Sequence, residues 1–199
     1  MSTVLMVVLA VVIIALLAGA GYALRAGART RGLRRRFGPE YDRAVERHGN
    51  RGAAEHELMS RRRRHEELEL HDLEPQRREQ YRHQWVLVQE RFVDAPAPAV
   101  EQADRLVTTV MGERGYPTRD FDDRVEHLSV EHGRTLDHYR QGHDISARAS
   151  EQGASTEDLR QAMVHYRVLF EDLLAVPAGE RSGGSAVPGR HNGEKAQGS

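Results

Sequence analysis

The 199 residues include eleven histidines, and the densest group is His127, His132, His138 and His143. Imidazoles that converge can hold a divalent metal or relay a proton. The spacing here does not bring them together. On a helix, neighbours five or six residues apart point about 140° or 120° away from each other. Only His127 with His138, and His132 with His143, would share a face, and those partners stand about three turns apart. Zinc sites favour tighter pairs, such as i and i+4, and no HExxH occurs. These histidines read as solvated or hydrogen-bonded side chains, so no metal and no other cofactor is expected. Ser129 lacks a glycine elbow, and Ser155 stands where a helix cap is wanted. Asp120, Asp122 and Asp123 are carboxylates of the kind that fall together by chance on a highly charged helix surface. There is no glycine loop to cradle phosphate. Cysteine is absent, which excludes disulfides, thiolate zinc sites and cysteine nucleophiles. The single lysine, Lys195, lies in the last stretch, away from any expected fold. No residue is therefore assigned to catalysis.

The strongest signal concerns position. Residues 3–24 carry no charged side chain and consist mostly of Val, Leu, Ile, Ala and Gly. As a helix, such a run reaches about 33 Å, enough for the hydrocarbon core of a bilayer. Arg25, Arg29, Arg31, Arg34, Arg35 and Arg36 follow at once, with no basic side chain on the other flank. This asymmetry predicts the N-terminus outside and the rest in the cytoplasm, at the plasma membrane. The same arginines are expected to meet anionic lipid headgroups, so residues 3–36 form the lipid contact. The alternative is a signal peptide cut after Ala18-Gly19-Ala20, which would leave a secreted protein. Within the span, Ala15, Gly19, Ala23 and Gly27 recur every four residues, a smooth stripe through which two spans could pair as a homo-oligomer.

Charge divides the chain. Residues 25–92 carry a net charge of +5 and residues 93–175 a net charge of −7, within an overall −1. A basic half near the bilayer and an acidic half beyond it suit a membrane-tethered domain, and nucleic acid is not expected as a partner.

The fold expected is all-α. Pro39 opens a helix with Tyr41, Ala44, Val45 and His48 on one face, and Gly49-Asn50 ends it. Residues 52–68 have little apolar content beyond Leu58 and include Arg61, Arg62, Arg63 and Arg64, so a solvated arm is expected there. Leu68, Leu70 and Leu73 alternate and read as a short extended link. Pro75 opens a stronger helix with Tyr81, Trp85, Val88 and Phe92 in a stripe. Asp94 precedes Pro96 and starts the next helix, which buries Ala99, Ala103, Leu106, Val107, Val110 and Met111 and stops at Gly115-Tyr116-Pro117. Phe121, Val125 and Leu128 mark a short helix, and Leu136, Tyr139 and His143 another. Ser155 and Asp158 have capping-box spacing ahead of Leu159, Ala162, Met163, Tyr166, Phe170 and Leu173. Trp85, Phe92 and Tyr116 could anchor a partner, but at helical spacing they read as core. The predicted organisation is a transmembrane helix over 3–24, a basic juxtamembrane segment and helical stalk over 25–74, an irregular bundle of four or five helices over 75–175, and a disordered tail over 176–199.

Four strings carry a family likeness: Phe37-Gly38-Pro39-Glu40-Tyr41-Asp42, Arg91-Phe92-Val93-Asp94, Arg114-Gly115-Tyr116-Pro117 and Ser155-Thr156-Glu157-Asp158-Leu159-Arg160. Over residues 1–175 the chain resembles a family of actinobacterial single-pass membrane proteins, often labelled hypothetical or secreted. The resemblance implies no activity, ligand or catalytic residue. The excess of arginine over lysine agrees with such a high-GC source. The function expected is a membrane-anchored helical interaction or scaffold protein with another protein as partner. The alternative is a tethered helical domain that binds or converts a small molecule.

Overall fold

The computed structural model describes residues 3–175. Among them the chain forms eight helices and no strand. The expected tail over 176–199 lies outside the described residues. Helix α1 spans Thr3–Phe37 as one 35-residue rod, about 52 Å long at 1.5 Å per residue. It stops at Gly38, whose φ of 53° is a left-handed value that glycine adopts freely, and Pro39 sets the first turn of α2 (Pro39–His48). Asn50 caps α3 (Arg51–Glu66), its side-chain oxygen accepting from the Gly52 and Ala53 amides at 2.7 and 3.3 Å.

Residues 67–74 form a non-helical link pinned by the His71 amide, which donates to the Arg114 carbonyl at 3.0 Å. Then come α4 (Pro75–Asp94), α5 (Pro96–Glu113), α6 (Phe121–Glu131), α7 (Leu136–Gln152) and α8 (Thr156–Ala175). The start expected at Asp94 moves by one residue. The Ala95 amide still bonds the Arg91 carbonyl, so α4 keeps Asp94, and Pro96 forces Ala95 out of the helical region and into the cap position of α5. Asp120 caps α6 by accepting from the Asp123 amide at 2.8 Å. The capping box at α8 is reciprocal: Asp158 donates its amide to the Ser155 hydroxyl, and the Ser155 amide and hydroxyl both donate to the Asp158 carboxylate.

Two apolar clusters hold these helices. The larger lies among α4, α5, α7 and α8, with Trp85 stacked on Phe170 at 4.7 Å and Val107, Met111, Tyr139, Tyr166 and Leu169 fully covered. Trp85 and Tyr116 are core, as their spacing predicts, while Phe92 is half-buried against the cluster. The smaller cluster joins Leu33 and Phe37 of α1 to Tyr41, Ala44, Ala54, Leu58 and Val130. Helix α6 serves both, with Val125 and Leu128 in the first and Val130 in the second.

The arm expected over residues 52–68 is not solvated throughout. Ala54, Leu58, Arg61 and His65 of α3 are buried, spaced 4, 3 and 4 apart, and α3 packs on α6. Half of that buried face is Arg and His, which is why apolar content gives no sign of it. Those two side chains are tolerated inside because Glu57 and Glu131 stand beside them.

Candidate functional site

Among the described residues, α1 is exposed throughout from Met6 to Gly21. Leu16 and Leu17 are 68% and 67% exposed, and the side chains from Met6 to Leu17 named among the large apolar ones are all open. One helix is therefore apolar and long enough to cross a membrane. An apolar surface this extended marks a place where a membrane or a partner is met. Ala15, Gly19 and Ala23 lie open on it, and a methyl at Gly19 would meet nothing within 4 Å.

The basic collar continues the same helix. Arg25, Arg29, Arg31, Arg34 and Arg35 are exposed, and Arg36 is half-buried. Arg29 lies 3.8 Å from Glu55, Arg34 lies 3.4 Å from Asp42 and 4.9 Å over the Tyr41 ring, and Arg31 donates to its own Gly27 carbonyl at 3.2 Å. Thr30 donates to Glu55 at 2.6 Å. Collar and domain are thus tied by α3 as well as by the helix itself.

The four histidines of the sequence group go to separate surroundings. His127 lies in the interior 3.7 Å from Asp123, and His143 stacks on Phe121 at 3.8 Å. His138 faces His165 with their Nδ1 atoms 2.9 Å apart. Among the described residues no group of three or more histidine or acidic side chains is placed to hold a metal. Ser129 is buried and donates to the Glu126 carbonyl of its own helix at 2.5 Å, Asp120 is a cap, and Asp122 is exposed.

His132 enters an arrangement that the sequence does not announce. Its Nδ1 lies 2.7 Å from Asp172 of α8 and its Nε2 lies 3.2 Å from the Tyr116 hydroxyl, which also reaches Glu131 at 2.9 Å. Thr135 donates to Asp172 at 2.8 Å. His65 of α3 lies 3.3 Å from the other Glu131 oxygen. Arg114, 1% exposed, donates to the Leu173 carbonyl at 2.6 Å, so its positive charge sits at the C-terminal end of α8 where the helix dipole is negative. The tyrosine, histidine and aspartate have the order of a proton relay, but the one Tyr116 hydroxyl proton is donated to Glu131. Access decides its role. Tyr116 is 3% exposed and His132 0%, and neither lines any of the clefts described below. The arrangement is a buried polar layer between the two apolar clusters, tying α3, α6 and α8 to the loop after α5.

The charges in this layer give the fold a pH dependence. Burial drives His132 and His127 below the usual histidine value, although Asp172 beside the first and Asp123 beside the second oppose it. Burial pushes Glu131 up, but bonds from His65 and Tyr116 outweigh it and hold the carboxyl at about 2. Burial and the Glu131 charge keep the Tyr116 hydroxyl protonated well above the tyrosine range. Both lowered groups act in the same direction. Unfolded histidine takes up a proton near pH 6.5 and the folded ones resist it, so stability falls as pH drops below about 6.5. The Glu131 contribution is complete above about 4.5 and is lost as pH falls toward 2. The melting temperature of the full chain in detergent should therefore fall in two steps between pH 7 and pH 3. Glu131→Gln should make the lower step smaller, Glu40 and Glu57 supplying the rest, and a melting temperature level with pH would contradict the assignment.

Between α4 and α8 a groove of about 180 Å³ is lined by Trp85, Gln89, Phe92, Arg160, Met163, Val164 and Arg167. Val86, Leu87 and Val93 add exposed apolar surface on α4, as Val164 does on α8. A smaller polar cleft of about 170 Å³ lies at the α7–α8 turn beside Gly153 and Asp158. Comparison with protein-family models, curated proteins and solved structures finds no match to the chain.

Proposed function

We propose that the chain is a single-pass plasma-membrane protein whose helices α2–α8 lie on the cytoplasmic side and bind another protein at the membrane surface. The observation that carries this reading is the continuity of α1. Leu33 and Phe37, 4% and 0% exposed, belong to the domain core and to the same helix as the apolar span. From Leu24 to Leu33 is about 13 Å of helix, roughly the depth of a headgroup layer and a little more. The domain is thus held against the bilayer at a set height. Of the exposed arginines, Arg25, Arg29 and Arg31 fall in that interval and Arg34 and Arg35 just beyond it, and each near the headgroups contributes about 1 kcal/mol toward anionic lipid and favours the cytoplasmic leaflet. The apolar surface around the α4–α8 groove supports a protein partner, since such patches are where interfaces form.

The test is a pair of reporters fused after Ala175, one active only in the cytosol and one only outside. Activity of the cytosolic reporter alone is expected. Activity of the external reporter alone would invert the topology and place the partner on the other side of the bilayer. An intact N-terminus by mass spectrometry would separate this reading from a cleaved signal, which would start the mature chain at Gly21.

A further inference from the structure

A cleft of about 750 Å³ opens between the α2–α3 hairpin and the α6–α7 pair, within the size range of small-molecule sites. Four guanidinium groups line it: Arg43 and Arg47 from α2, Arg61 from α3 and Arg140 from α7. Phe121 and Val125 of α6 form an apolar wall. We propose that this cleft binds a small acid, its single carboxylate or phosphate group held by these arginines and its apolar part laid on Phe121 and Val125.

The case rests on unequal pairing. Glu40 beneath the cleft is 1% exposed and binds both Arg140 and Arg43, the first through both carboxylate oxygens. Asp137 serves the same two arginines. Glu57 is shared among Arg61, Arg47 and His48. Four guanidiniums therefore divide three carboxylates. Arg61 is the one most in need: it is 9% exposed, and its Nη1 has no hydrogen-bond partner. Burial, aided by the charge of Arg47, lowers its pKa although Glu57 and Glu40 oppose this. A buried charged donor left unbonded is destabilising, and a turn of the Arg61 guanidinium toward the cleft would let an incoming oxyanion supply the missing acceptor in the planar geometry guanidinium favours.

The acidic residues of the lining restrict the ligand. Glu126 is turned to Arg64 and is thereby neutralised. Glu46 and Asp122 are exposed at the mouth. Their charges repel a second negative group, so the ligand carries one acid at its inner end. Both a free metabolite and a lipid headgroup phosphate have this chemistry.

The experiment uses the full chain in neutral detergent. Its melting temperature is followed against butyrate and against inorganic phosphate, each compared with chloride at equal ionic strength. A saturable rise of about 5 °C or more at a hundred times Kd is expected for at least one of them. Arg47→Gln, on the rim, should abolish the rise, each variant being compared with its own ligand-free melting temperature. Arg61→Gln should abolish it as well. In parallel, nanodiscs of phosphatidylglycerol and of phosphatidylcholine carry the wild type and Arg47→Gln. Stabilisation by phosphatidylglycerol alone, lost in Arg47→Gln, would assign the site to a headgroup. A response that survives Arg47→Gln belongs to the α1 collar and overturns the proposal. So does the absence of a saturable response to every probe.

Discussion

Gly133→Ala should lower the melting temperature of the full chain by about 6–12 °C, a loss of about 3 kcal/mol. The new methyl would stand 2.5 Å from the Phe37 carbonyl oxygen and 3.1 Å from that of Ser129. Both are backbone atoms, so no side-chain rotation relieves the contact. Gly133 begins the turn from α6 to α7, and Phe37 is the last residue of α1. The clash therefore falls where α1 enters the domain. The loss should appear as weakened attachment of α1, read by faster proteolysis near residues 37–50 in detergent. Gly32→Ala is the control, since a methyl there meets nothing within 4 Å and alanine favours helix. It should be neutral or stabilise by up to about 1 kcal/mol. Equal melting temperatures for the two variants would refute the packing described at Phe37.

Glu40→Ala should be of similar weight, about 3 kcal/mol. The carboxylate is buried on α2 and joins α7 through Arg140 across a sequence distance of 100 residues. Burial pushes its pKa up, but the bond from Arg140 and the charges of Arg140 and Arg43 outweigh burial and hold it below the usual carboxylate value. Removing it leaves arginines facing one another with less to neutralise them. The effect belongs at the low end of the range for broken buried pairs, because Arg140 keeps Asp137 and its side chain is 24% exposed. Paired unfolding curves for Glu40→Ala, Arg140→Ala and the double variant test this. A coupling energy near zero would show that the two side chains contribute independently. Because the folded carboxyl titrates below the unfolded one, the difference between wild type and Glu40→Ala should also shrink as pH falls below about 4.5.

Local grammar made most helices legible. Pro39 and Pro75 mark the first turns of α2 and α4, and Ser155 with Asp158 marks the start of α8, because each acts within four residues of itself. Apolar stripes such as Tyr81, Trp85 and Val88 identify their buried faces for the same reason. Helix α3 is less legible because Arg61 and His65 occupy positions where an apolar residue would signal burial. Their acceptability depends on Glu57 nearby and on Glu131, which is 66 residues away from His65 and visible only once α3 and α6 are packed. The Tyr116, His132 and Asp172 arrangement is hidden in the same way. Tyr116 is 16 residues from His132 and Asp172 is 40, and no spacing rule spans such separations. The cleft between α2–α3 and α6–α7 is likewise a product of tertiary packing alone.

The unbroken α1 also fixes an azimuth. Successive residues turn by about 100°, so Ala23 and Phe37, like Gly19 and Leu33, differ by about 40° around the rod. The small-residue stripe of the apolar segment thus looks in nearly the same direction as the side that seats the domain. Two copies meeting along that stripe would steer their domains toward each other and into one volume. Such a pair must cross steeply or splay apart before residue 33, whereas a slender neighbour with nothing bulky on that flank fits without either adjustment.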